Sequence, residues 1–243
     1  MREEMKQILE RLQCEYSIFK KGTNPDELEK AYLEALQDSA GKNYYPAILL
    51  VDEYVTDWLD YVFEEDYHRE ELMQTCKNNG KELLQERFRE YMEDYQEDYG
   101  GDLEEFIGKE TEGEVMHHFS AYNSFDEYVL VEDALLLKIP VQHPWEIIAW
   151  LPVGGWNECP APEEMISICK YWYESYGAIP AVFTHDEMEF YVPQKLNGAV
   201  PLEVAKEHYA FCVDRVDQGT RTCTLSELAV GLKDSDIWYF WWD

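Results

Sequence analysis

Apolar positions along this chain follow two different periods, and the change from one to the other divides it. Residues 3–14 carry Met5, Ile8, Leu9 and Leu12 at helical spacing, which predicts a short amphipathic helix. Asn24-Pro25-Asp26-Glu27 marks a helix start: a capping side chain, a proline in the first turn, and two acids at the positive end of the dipole. That helix is expected to run to about Ser39 and stop near Gly41. Tyr44 to Val51 is a short, almost unbroken apolar run, as in a strand covered on both faces. Residues 54–63 fit helix or strand equally. From about Asp66 to Glu97 the stripe Leu72, Cys76, Leu84, Phe88, Tyr91, Tyr95 is helical. Asn78-Asn79-Gly80 interrupts it and predicts two helices or a sharp bend, since Asn and Gly tolerate the left-handed backbone that ends helices. A short helix is expected at 102–109.

After Gly113 the texture changes to short apolar segments separated by turns. Strands are expected at Val129–Val131, Leu135–Ile139, Glu146–Leu151 and Ala178–Thr184, with Glu189–Val192 as hairpin mate across His185-Asp186-Glu187. Helices are expected at Pro160–Ser175, Pro201–Val213 and Leu225–Leu232, and Ile237–Trp242 closes the chain as a strand. The fold class is α+β: a mostly antiparallel sheet with packed helices in the C-terminal half, preceded by an α-β unit and an acidic helical segment. Two regions are expected, 1–113 and 114–243. There is also an internal echo. Tyr45-Pro46-Ala47-Ile48 through Asp52-Glu53 resembles Ile179-Pro180-Ala181-Val182 through Asp186-Glu187, each after a helix opened by Pro25-Asp26-Glu27 or Pro162-Glu163-Glu164. Two units of one design predict like strand directions and like helix faces.

Charge changes the picture more than composition does. The 243 residues are 46% hydrophobic and 15% aromatic, enough for a large aromatic-rich core. Against 51 Asp and Glu stand 20 Lys and Arg, a formal net charge of −31. Between residues 52 and 114 alone there are 22 acids and 6 bases, so this segment is the electrostatic pole. Such a field repels phosphate backbones and anionic lipid, and it attracts a basic protein or divalent cations. Solubility alone would also explain it. The six cysteines, at 14, 76, 159, 169, 212 and 223, form no CxxC pair and match no zinc module. Met1-Arg2-Glu3-Glu4 leads into no apolar stretch, and the longest aliphatic run, Ala47 to Val51, cannot cross a bilayer. A cytoplasmic protein with free thiols is expected.

Several uncommon motifs then occur in a fixed order. They are Gly154-Gly155-Trp156-Asn157-Glu158-Cys159-Pro160, Tyr171-Trp172-Tyr173 with Tyr176-Gly177-Ala178, and Glu207-His208-Tyr209-Ala210-Phe211-Cys212. Asp214, Val216-Asp217-Gln218-Gly219 and the ending Trp238-Tyr239-Phe240-Trp241-Trp242-Asp243 follow. With these, the chain from about Pro144 onward resembles the C-terminal domain of a bacterial group, domain-of-unknown-function family 4253. The resemblance supports the fold and implies no activity. Where that pattern has Cys-Pro-Asp, this chain reads Cys212-Val213-Asp214.

The same motifs hold the candidate chemistry. Cys159 follows a Gly-Gly turn near a helix N-terminus, where dipole and backbone N–H groups lower a thiol pKa; it is equally a small buried hydrophobe. His208 and Cys212, at i and i+4, share a helix face. They suit a Cys–His pair, half of a metal site completed by Cys159 or His185, or a packed core histidine. Glu207, Asp214, Asp217 and Gln218 stand beside them as binding candidates, with Trp156, Asn157 and Glu158 in the glycine turn. Asp214 to Gly219 lacks the calcium-loop spacing, and no phosphate-loop, dinucleotide, serine-hydrolase or zinc-protease motif occurs, so no metal or cofactor is assigned. His117-His118 has no metal-like partners nearby in sequence. Alternation in the last strand places Trp238, Phe240 and Trp242 on one face, which predicts a central core strand or, with a face open, a stacking platform. The function expected is a non-catalytic acidic binding protein, such as one that neutralises a basic partner as an immunity protein does. The alternative is an enzyme or metal-binding protein using the Cys/His/carboxylate residues.

Overall fold

The structure, a computed structural model, describes residues 3–63, 67–124 and 126–242. The expected helix start at Asp66 and the terminal Asp243 of the aromatic ending lie outside these residues.

Most elements form where local chemistry favours them. α1 (Glu3–Leu12) buries Met5, Ile8 and Leu12. β1 (Glu15–Phe19) follows it, unannounced in the sequence because its first three residues are exposed and show no alternation. α2 (Pro25–Asp38) starts where Asn24 Oδ1 accepts the Asp26 N–H at 2.9 Å. β2 (Tyr45–Val51) is buried at every position after the first. Residues left ambiguous by their pattern become α3 (Glu53–Val62), capped by Asp52, which accepts the Val55 N–H at 2.7 Å. The acidic stretch forms α4 (Arg69–Thr75) and α5 (Gly80–Tyr99), parted at Asn78 and Asn79. α6 (Leu103–Ile107) is capped by Asp102. Then come β3 (Asp133–Ile139), α7 (Pro162–Tyr176), β4 (Ile179–Phe183), β5 (Glu187–Tyr191), α8 (Val200–Phe211), α9 (Asp214–Asp217), α10 (Leu225–Asp234) and β6 (Ile237–Trp241).

Two expected strands are absent. Pro144–Ala149 is a 3-10 helix in place of a strand at Glu146–Leu151. Pro144 opens it, and the Glu146 carboxylate reaches back to accept the N–H groups of Gln142 at 2.9 Å and His143 at 3.0 Å. Its residues are buried on almost every side, so the run has no period from which helix and strand can be told apart. Val129–Val131 contributes only one bridge, from Leu130 to Asn123.

The six strands form one sheet in the order β1-β3-β2-β4-β5-β6. All neighbours are antiparallel except β2 and β4, which run parallel with Ile48 opposite Val182 and Leu49 opposite Phe183. The closing strand β6 is therefore an edge strand, not a central one: it pairs with β5 alone. Its Trp238 and Phe240 are buried, and Tyr239 and Trp241 are half-buried.

Alternation along each strand sends side chains to two unlike faces. Leu49 and Val51 of β2, Leu135 and Leu137 of β3, and Trp238 and Phe240 of β6 enter the larger core, with α1, α3, α7, α8 and α10. Ile48, Leu50, Ala134 and Leu136 enter the smaller one, closed by Leu28 and Tyr32 of α2 and by Phe119, Tyr122 and Leu130 of the long connection before β3. This arrangement ends the internal echo as a duplication. β2 and β4 do run the same way, paired in the register of the echo, but α2 packs on the smaller core and α7 on the larger.

Candidate functional site

The glycine turn 154–160 sits between the 3-10 helix and α7. Gly154 has φ +109°, and a Cβ there would lie 1.9 Å from the Pro160 carbonyl oxygen, so the turn can close only on glycine. Its outer residues Asn157 and Glu158 are exposed, Trp156 is half-buried against the larger core, and Cys159 is buried. Arg87 of α5 fixes the turn. It donates from Nε to the Ala210 carbonyl at 2.9 Å and from Nη2 to the Glu158 carbonyl, joining the acidic helix to both the turn and α8.

Cys159 and Cys212 belong to the same core and lie close enough for a Cys212 thiolate to disfavour one at Cys159. Burial dominates, however, and pushes the Cys159 thiol far above its ordinary range, opposite to the effect of a helix N-terminus. Burial likewise raises Cys212 to about 11, and its S–H donates to the Trp241 carbonyl at 3.0 Å. Both are uncharged thiols at neutral pH and poor nucleophiles.

His208 is fully buried, and neither ring nitrogen has a hydrogen-bond partner. Its ring lies 4.6 Å from that of Trp238 at 75°, 4.7 Å from Phe240 and 5.5 Å from Trp172. Burial first, and Arg215 second, hold its pKa well below the ordinary histidine value, so the ring is a neutral aromatic in an aromatic cage. Arg215 lies with its guanidinium 6.0 Å from the Phe240 ring.

Glu207, the residue before His208, has a different setting. It turns toward α7 and accepts from the Tyr171 hydroxyl at 2.7 Å, the Trp172 indole N–H at 2.9 Å and the Tyr176 hydroxyl at 3.3 Å. Only 8% of it is exposed, and burial raises its pKa against the lowering effect of those donors. It borders a cavity of about 290 Å³ between α5, α7 and α8.

The other candidates lie apart from this carboxylate. Asp214 accepts from the Gln218 side-chain amide at 2.7 Å and, through its carbonyl, from the Gly219 N–H at 2.7 Å; these bonds end α9. Asp217, on the same short helix, has its pKa raised by burial and by Asp214. His185 lies where β4 ends, with Nδ1 3.0 Å from Asp52 Oδ2 and Nε2 3.3 Å from Asp186 Oδ2. Each nitrogen faces a carboxylate, so the ring ties the ends of the parallel strands together. Tyr54 packs on it at 4.9 Å. His117 and His118 also have work: they bond Asp236 at 2.6 Å and Glu29 at 3.0 Å and pin the long connection down. Among the described residues, no group of three or more His, Cys, Asp or Glu side chains is placed to hold a metal ion.

Two residues escaped the sequence reading. Arg87 was only one of six bases in an acidic segment. Glu189 is fully buried in β5, accepting from the Ser120 N–H at 2.9 Å, the Ser120 hydroxyl at 3.0 Å and the Ala121 N–H at 3.3 Å. Desolvation raises its pKa to about 8 despite those donors. A lone acid between Met188 and Phe190 was the available signal.

The molecule is thus an α+β protein built on one mostly antiparallel sheet, with an aromatic core against which an acidic helix is riveted. Residues 135–243 match the family model described as "Domain of unknown function (DUF4253)", which begins within β3, before the motifs that suggested it. No curated protein and no solved structure matches the chain. Among the described residues, no helix is long and apolar enough to cross a membrane.

Proposed function

We propose that this is a non-catalytic binding protein whose acidic surface, centred on α5, docks a basic protein partner, as an immunity protein docks a cationic toxin. The outer face of α5 carries this reading. Glu82, Glu90, Glu93, Asp94 and Glu97 are all exposed along one helix. Like charges at i and i+4, as in Glu86 and Glu90 or Glu90 and Asp94, weaken a helix by a few tenths of a kcal/mol each, so the face is costly to its own element. The inner face offsets that cost: Leu84 and Phe88 join the larger core, and Arg87 bonds α8 and the glycine turn. Arg89 pairs with Glu86 at 3.6 Å, and the acid that remains in surplus along this rigid helix steers a basic partner and repels nucleic acid and anionic membrane. Six free cysteines suit a reducing compartment such as the cytoplasm. The alternative, an enzyme or metal-binding protein working through Cys159, His208 and Cys212, has less support, because those groups are buried and neutral and His208 is packed among aromatic rings.

Affinity capture from lysate at low salt, repeated with the triple variant Glu82→Lys, Glu90→Lys, Glu97→Lys, tests the reading. A basic protein should be retained by the wild type, released by salt, and lost by the variant at unchanged melting temperature. Retention that ignores both salt and charge reversal would sink it.

A further inference from the structure

We propose that the cavity between α5, α7 and α8 binds a primary ammonium group, the side-chain amine of a lysine. The docking reading above supplies the source of that lysine, a basic partner; the chemistry of the cavity stands on its own residues. Leu84 and Phe88 of α5 and Tyr176 at the end of α7 line it, and Glu207 of α8 borders it. At about 290 Å³ it has room for a four-carbon stem and its charged head. Aromatic rings beside a carboxylate suit a cation, which gains from the ring faces as well as from the charge.

The free acceptor capacity of Glu207 sets the selectivity. A carboxylate oxygen accepts about two hydrogen bonds. Oε1 accepts from Tyr171 and is crowded by the Tyr176 hydroxyl, which shares its one hydrogen between Oε1 at 3.3 Å and Tyr171 at 3.2 Å, whereas Oε2 takes only the Trp172 indole N–H and keeps one position. An ammonium needs one acceptor. A guanidinium binds a carboxylate best through two parallel bonds, one to each oxygen, and here the first oxygen is occupied. The site therefore prefers lysine to arginine.

The remaining charges at the cavity agree. Glu203 and Lys206 pair at 2.8 Å and cancel. That leaves Glu207 and Lys81, an exposed side chain near enough to favour the ionised carboxylate. Lys81, on a long flexible stem beside the cavity, opposes an incoming amine by like charge. Anions would meet Glu207 directly, and a neutral ligand would gain nothing from its charge.

The test titrates N-acetyl-lysine methylamide into the full chain while following the indole N–H resonance of Trp172, whose acceptor is Glu207. A saturable shift is expected. Glu207→Gln should weaken binding about tenfold to a hundredfold, the worth of a charge-assisted hydrogen bond. Lys81→Met should strengthen it several-fold, a gain that a purely structural role for Glu207 does not produce. The arginine analogue should bind at least about tenfold more weakly, and the Nε-acetylated lysine not at all. No saturable shift, equal binding by Glu207→Gln, weaker binding by Lys81→Met, or arginine binding as tightly as lysine would each overturn the assignment. The α5 charge-reversal variant should keep its affinity for the lysine amide, so cavity and docking surface fail separately.

Discussion

Glu207 and Glu189 are buried carboxylates on opposite faces of the sheet, and the two are held by different means. On the larger face, Glu207 is bonded by three aromatic side chains of α7, which fix it rigidly and leave it at the edge of an open cavity. On the smaller face, Glu189 is bonded by Ser120 and Ala121 of the connection before β3 and has no exposure at all. Side-chain donors on a helix let a buried acid keep access to solvent. Backbone donors on a loop seal it, and the charge is then so costly that a proton remains until about pH 8. The first acid suits a ligand; the second fastens a strap.

The contrast can be broken most severely in the larger core. Trp172 donates to Glu207 and stacks on Phe240 at 5.6 Å while touching Phe190, Phe211 and Trp238. Trp172→Ala should cost about 3–5 kcal/mol in denaturant unfolding. A smaller change loosens the strap. A Cβ on Gly113 would lie 2.3 Å from the Glu227 carbonyl and 2.4 Å from the Gly231 nitrogen, both backbone atoms of α10. Gly113→Ala should cost about 1–3 kcal/mol and speed hydrogen exchange at Ser120 and Ala121, leaving the Trp172 indole environment unchanged.

The third prediction is one of slope. The folded pKa of Glu189 stands above its unfolded value, so the stability it contributes is fully present below about pH 4.5 and is lost as pH rises through about 8. The melting temperature of the wild type should therefore fall across this window relative to Glu189→Gln, which has no proton to lose. Parallel curves for the two proteins would show that Glu189 titrates as an ordinary exposed acid.

Legibility followed the range over which each feature is determined. α2 was readable because Asn24-Pro25-Asp26-Glu27 supplies cap, proline and dipole charge within four residues. β2 was readable because burial on both faces leaves no polar position. The 3-10 helix at Pro144 was misread because enclosure on almost every side erases the period. β1 and the edge position of β6 depend on strand order, which no local pattern encodes. At the site, i and i+4 spacing predicted His208 and Cys212 on one helix face, but α8 ends at Phe211 and Cys212 caps it in extended backbone, and spacing carries no information about dryness. Whether His208 meets carboxylates or rings is decided by Trp172, Trp238 and Phe240, which arrive from α7 and β6. The donors to Glu207 were visible as Tyr171, Trp172 and Tyr176, and only the packing of α7 on α8 turns them toward it.

Strand order also governs how this chain emerges from the ribosome. β1 and β2 do not touch each other; each needs β3, which is not translated until Asp133 to Ile139, and β2 must wait again for β4. At ordinary elongation rates the apolar segment Tyr45–Val51 therefore spends several seconds without a ladder partner. Nascent chains halted before Asp133 should be held by chaperones and cut readily by protease, and those that include β6 should resist.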